Sequence, residues 1–358
     1  MRAYNFAAGP AALPTEVMER IRDEWLDWQG CGSSVIEVSH RGKAFLRVAE
    51  QAEQDLRQLL AVPPDYDVLF LQGGASAQFA LVPMNLAAPD ATVDYLNTGH
   101  WSGKAIAEAR RYCRVHVAAD VGAPYGRVPA ASEIEYSGRA AYVHYTPNET
   151  IGGVEFPYVP DTGGVPLVAD MSSNILSRPI DVSQYGLIYA GAQKNIGPAG
   201  LVVVIVRRDL VGHARAGTPT VFDYRAVAAE HSMLNTPPTF AWYAAGLVFQ
   251  WLKARGGVAA IERENRAKAQ ALYAAIDASS FYHNRIEPRA RSRMNVVFHL
   301  ARPELDEEFL RRADAAGLKS LKGHRVAGGM RASLYNSMPA EGVAALVDFM
   351  REFERAHA

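Results

Sequence analysis

Between residues 68 and 206, seven short apolar runs are separated by segments with glycine turns and helical spacing of apolar residues. The runs are 68–71, 92–97, 114–118, 141–145, 167–170, 187–190 and 201–206, and several are apolar at every position. A strand with one wet face alternates apolar and polar side chains, whereas a strand covered on both faces does not. The pattern therefore demands a mostly parallel sheet of seven strands between two helix layers. The last two runs are joined by too few residues for a crossover helix, so one of them runs antiparallel.

Around this sheet the spacing predicts helices from Thr15 to about Trp28, 43–61, 76–86, 103–112, 238–255 and 257–278. Thr15 reads as an N-cap, and 35–38 as a short β-like stretch. Gly256-Gly257 is the best candidate boundary. It gives a large α/β domain over 16–256 and a small α+β domain over 257–358, joined by an extended N-terminal arm, 1–15. The small domain is predicted to hold strands 295–300 and 331–335 and helices 304–316 and 340–356. Arg285, Arg289, Arg291 and Arg293 read as a solvated loop face.

The chain is 358 residues long with a net charge of −1, which argues against a general partner for nucleic acid or anionic membrane. Its longest aliphatic run is too short to span a bilayer, and residues 1–10 hold no apolar core of a leader. Two cysteines far apart, Cys31 and Cys113, fit a reducing compartment, so a cytoplasmic location is expected.

Parallel sheets bind ligands outside the carboxyl ends of their strands. There the sequence places Gly73-Gly74-Ala75-Ser76 opening a helix, Gly99-His100-Trp101, Asn148-Glu149-Thr150, Asp170, and Lys194 in a loop of small residues. Each has an ordinary alternative: a plain helix start, a core tryptophan, a helix-capping aspartate, a solvated hairpin lysine. Together they supply an anion cup, a stacking ring, a carboxylate and an amine whose pKa burial would lower. Pyridoxal phosphate needs these four things: a held phosphate, a sandwiched ring, an acid beside the pyridine nitrogen and a Schiff-base lysine. Lys194 and Asp170 fit the last two roles.

At these residues the chain resembles the phosphoserine aminotransferases, within class V of the fold-type I pyridoxal-phosphate transferases. The resemblance is carried nearly end to end by FAAGP at 6–10, Ser39-His40-Arg41, QGGASAQF at 72–79, Gly99-His100-Trp101, Asn148-Glu149-Thr150, ADMSS at 169–173, YAGAQKNIG at 189–197, LNTPP at 234–238 and GHRVAGGMRASLYN at 323–336. It implies Lys194 as the catalytic lysine, Trp101 stacked on the ring, Thr150 near the ring hydroxyl, and Ala75, Ser76 and Gln193 near the cofactor phosphate. It further implies a homodimer with shared sites and one cofactor per subunit, Asn235 and Thr236 reaching across to the partner's cofactor. Arg331 would hold the substrate α-carboxylate, and His324, with His40 and Arg41 from the partner, the substrate phosphate.

The implied reaction is a ping-pong transamination from L-glutamate to 3-phosphohydroxypyruvate, a step of serine biosynthesis. The phosphorylated keto acid of pyridoxine biosynthesis stays open as a second acceptor. Two departures stand out: Ser76 replaces an arginine of some members, and Ala8 a serine. An alanine–glyoxylate aminotransferase would have no use for His40, Arg41 and His324. A cysteine desulfurase would need a later cysteine than Cys31 or Cys113, and a non-catalytic descendant would have lost Lys194 or Asp170.

Overall fold

A computed structural model describes residues 2–357. Its main sheet has seven strands: β1 (Tyr66–Leu71), β2 (Thr92–Asn97), β3 (Arg114–Asp120), β4 (Val143–Tyr145), β5 (Leu167–Asp170), β6 (Leu187–Gly191) and β7 (Val202–Arg207). Their order across the sheet is β1-β7-β6-β5-β4-β2-β3. Strand β7 is antiparallel to both neighbours, and every other pairing is parallel. Six strands thus present their carboxyl ends along one edge.

The uninterrupted apolar runs are explained by the two layers. In β7, Val203 and Ile205 enter the core beneath helices α2 (Lys43–Leu60) and α6 (Thr239–Ala254). Val202, Val204 and Val206 enter the opposite core, beneath α3 (Gly74–Leu86), α4 (His100–Ala109) and α5 (Tyr224–Ala229). Trp242 of α6 stacks on Phe70 of β1, with ring centroids 4.5 Å apart.

A separate apolar cluster joins helix α7 (Gly257–Asp277), strands β8 (Tyr282–His283), β9 (Asn295–Leu300) and β10 (Met330–Ser333), helices α8 (Asp306–Ala315) and α9 (Ala340–His357), and Phe6 of the arm. The three strands form an antiparallel sheet ordered β8-β9-β10. The arm is pinned by backbone pairing of Tyr4–Asn5 with Leu318–Lys319 and by hydrogen bonds from Ser333 N–H to Phe6 O and Ala11 N–H to Gln193 O.

Three expectations are corrected. The first helix, α1, is Thr15–Asp23, and Pro14, not Thr15, stands at its N-cap; the Thr15 hydroxyl accepts from Arg2 instead. Residues 35–38 form a turn rather than a strand, because the Glu37 carboxylate accepts from Ser34 N–H and closes the chain on itself. Arg291 and Arg293 are not merely solvated: Arg291 makes a bidentate pair with Asp277, and Arg293 reaches Glu155 and Glu262.

One buried cation organises the chain beyond β10. The Lys268 ammonium of α7 donates to the carbonyls of Leu334, Tyr335 and Met338, each at 2.8 Å. Lys268→Met would keep the stem and strand three buried acceptors, at a cost of roughly 3–5 kcal/mol. Denaturant unfolding should show that loss; a midpoint within error of the parent would contradict the assignment.

Candidate active site

The carboxyl edge of the sheet holds a cavity of about 190 Å³ lined by residues from five strand ends. After β1 the chain turns through Gly73 (φ 88°) and Gly74 (φ 63°) into α3, so Ala75 and Ser76 stand at a helix N-terminus with unshared N–H groups. A Cβ on Gly74 would meet nothing within 4 Å. Gly191 at the end of β6 lies against Ala75, where an added Cβ would approach it to 3.4 Å.

Lys194 sits in the turn between β6 and β7. The Ala192 carbonyl accepts from the backbone N–H of Lys194, Ile196 and Gly197, which winds the turn tightly and sends the side chain into the cavity. Its Nζ donates to Thr150 Oγ1 at 2.6 Å and lies 5.7 Å from the Trp101 ring centroid. Burial pushes the amine down to about 8, against the pull of Asp170 and Glu149, with Arg331 adding a further push down. Asp170 is buried at the end of β5, and Oδ1 accepts from the N–H and hydroxyl of Ser172 at 3.0 and 2.5 Å. Burial raises its pKa, opposed first by the Ser172 hydroxyl bond and then by Lys194.

Glu149, for which sequence reasoning found no role, locks this arrangement. It accepts from the N–H of Trp101 and Ser102 at 3.0 and 2.8 Å and from the Ser102 hydroxyl at 2.7 Å, so a buried carboxylate caps the first turn of α4. That fixes Trp101, in the cavity wall, relative to Thr150, the next residue along from Glu149. A carboxylate flanked by polar residues at a strand end was the available signal.

Arg331, on β10, places Nη1 3.4 Å from the Thr150 carbonyl. His324 lies with its ring centroid 5.5 Å from that of His100. Gln193 lines the cavity beside Lys194. Six residues singled out from the sequence, His40, Arg41, Asn235, Thr236, His324 and Arg331, do not line it. Arg41 Nη2 donates to Met233 O, which sets the His40-Arg41 turn beside the segment leading to Asn235 and Thr236. Thr236 in turn accepts from the Gln72 side chain, at the foot of the glycine turn.

The profile of the class-V aminotransferase family matches residues 3–346. A phosphoserine aminotransferase of Ectopseudomonas mendocina is 61% identical over 358 residues, covering 100% of this chain and 99% of its own. Among solved structures, the phosphoserine aminotransferase of Bacillus circulans subsp. alkalophilus superposes with a TM-score of 0.97 at 48% identity, covering 100% of this chain and 99% of that one. The phosphoserine aminotransferase of Trichomonas vaginalis, solved with pyridoxal phosphate bound, gives 0.94 at 44% identity, with 98% and 100% covered.

The Glu149 cap leaves no room for a side chain at position 99, where an added Cβ would overlap Glu149 Cδ and Cγ. Gly99→Ala should therefore destabilise the fold by roughly 2 kcal/mol. Gly103→Ala is the control in thermal unfolding, since its Cβ would meet only Asn97 Oδ1 at 3.7 Å. Equal melting of the two variants would contradict the assigned role of Glu149.

Proposed function

The chain belongs to the phosphoserine aminotransferases within class V, and from that premise we propose that it moves the amino group of L-glutamate to 3-phosphohydroxypyruvate, giving O-phospho-L-serine and 2-oxoglutarate. The observation that carries the reading is the Lys194 amine, buried at the sheet edge between Thr150, Trp101 and Asp170.

Pyridoxal 5'-phosphate supplies an aldehyde that carries the amino group and a ring that accepts electron density from the substrate Cα. The residues present fit it. The free N–H groups of the α3 start, with Ser76 and Gln193, suit its phosphate. Trp101 offers a flat face, Thr150 a hydroxyl beside Lys194, and Asp170 an acid at the cavity floor to keep a ring nitrogen protonated.

Lys194 does the proton work. An amine lowered to about 8 is available near neutral pH both to take the proton from substrate Cα and to return one to the neighbouring carbon. Arg331 has further guanidinium donors beyond the one near Thr150, and a planar fork suits the substrate α-carboxylate. The arm and the tight 192–197 turn keep Lys194 aligned and out of bulk water.

A homodimer completes the reading. His40, Arg41, Asn235 and Thr236 stand together outside the chain's own cavity, which suits residues offered to a second copy. Leu26 is 81% and Ile36 49% exposed, apolar surface that a second copy would cover. No helix of the described residues is long and apolar enough to cross a membrane. Cys31 and Cys113 are unpaired, which supports a cytoplasmic setting.

The test is the release of 2-oxoglutarate from glutamate with 3-phosphohydroxypyruvate, pyruvate or glyoxylate as acceptor. The phosphorylated acid should exceed the other two by at least about a hundredfold in kcat/KM, the scale of a buried charge-assisted contact. Preference for pyruvate or glyoxylate would overturn the assignment.

A further inference from the structure

Five basic side chains gather where α4 faces the loop before β10: His100, Lys104, His324, Arg325 and Arg331. None has a carboxylate within ion-pair distance among the described residues, whereas Arg20, Arg57, Arg127, Arg208 and Arg255 elsewhere in the chain each have one. Their placement is specific. His100 and Lys104 lie one turn apart on α4, and Lys104 Nζ is 5.0 Å from the centroid of the Trp101 ring that walls the cavity. The His100 and His324 rings are 5.5 Å apart. The Val326 N–H donates to His324 Nδ1 at 3.3 Å, which puts the proton of a neutral ring on Nε2 and leaves that nitrogen a donor.

Uncompensated cations repel, and their effect is felt within the group. Burial, then Lys104, His324 and Arg325, depress His100; burial, then Arg331, Arg325 and Lys104, depress His324. Such a cluster is stable when an anion joins it.

We propose that Lys104, supported by His100, is a specificity residue for the phosphate of the substrate, supplying positive charge from α4. The inference rests on the phosphoserine aminotransferase reading and adds a side chain to it. His324 Nε2 would hold one phosphate oxygen from the loop before β10, and Lys104 would approach from the helix side. A point charge on a flexible stem suits this place, since the dianion is held largely by Coulomb attraction.

The experiment compares the parent enzyme, Lys104→Met and Lys104→Arg in steady-state assays with the phosphorylated acceptor and with glutamate, and by equilibrium titration with O-phosphoserine. Methionine keeps the stem over Trp101 and removes the charge. It should raise KM for the phosphorylated acceptor and Kd for O-phosphoserine about tenfold, with kcat nearly unchanged and the glutamate KM raised at most about threefold, because glutamate's distal group carries one charge. Lys104→Arg should restore most of the affinity. Unchanged phosphate-substrate affinity in Lys104→Met, or an equal loss for both substrates, would overturn the proposal. If the parent itself ignored the phosphate group, the underlying reading would fall, a result distinguishable from failure of Lys104 alone.

Discussion

The interaction on which this site depends is the burial of one lysine amine at the carboxyl edge of a parallel sheet. Lys194 has a neutral hydroxyl, Thr150 Oγ1, at 2.6 Å, while Asp170 and Glu149, the carboxylates that favour its charged form, make no ion pair with it among the described residues. An amine salt-bridged at close range would stay charged and inert. One buried beside a hydroxyl is lowered to about 8 and keeps its nucleophilicity within reach of neutral pH. Both carboxylates are themselves committed. Asp170 is bonded by Ser172, whose hydroxyl also accepts from Gly191 N–H, and Glu149 caps α4. The strand ends are therefore tied to one another through the groups that set the lysine's charge.

The same edge is braced from the C-terminal side. Asn148 donates to Ser173 and Asn295 and accepts from Ser292. Asn295 donates onward to Ser333 and Tyr335, and Tyr335 donates to the Ala8 carbonyl of the arm. Asn195, next to Lys194, accepts from Asn336 N–H. A fully paired buried network of this kind holds the arm, β9 and β10 against the cavity, so that Arg331 is presented at a fixed distance from Thr150. Placement of the substrate-facing arginine is thus bound up with placement of the lysine.

Much of this was legible in the sequence because its cause is local. Runs apolar at every position can only be strands covered on both faces, and the short 191–200 link forced one antiparallel strand, which is β7. Lys194, Asp170 and Trp101 were located by a rule about strand ends, and all three line one cavity. What escaped depended on distant partners. The first helix stops at Asp23 and Trp28 beyond it is buried in the core, which no helical periodicity reveals. Arg293 looked solvated because Glu155 and Glu262 are remote in sequence. Asn148 and Asn295 carry no motif of their own that would predict their pairing. His40, Arg41, Asn235 and Thr236 were named by resemblance alone, and the chain by itself does not turn them into its cavity.

The central claim is that Lys194 captures a carbonyl: burial lowers Lys268 as well, but that amine is held by three backbone carbonyls away from the cavity that Lys194 lines. Its most direct test strips the protein of cofactor, adds pyridoxal phosphate across a pH series, traps the product with borohydride and maps the label by mass spectrometry. Because burial lowers this amine from 10.5, the neutral form accumulates above about 8. The account predicts label on Lys194, with an initial rate that rises with pH and levels off above a midpoint near 8. Label on another lysine, or a rate still climbing toward the ordinary lysine value, would contradict it.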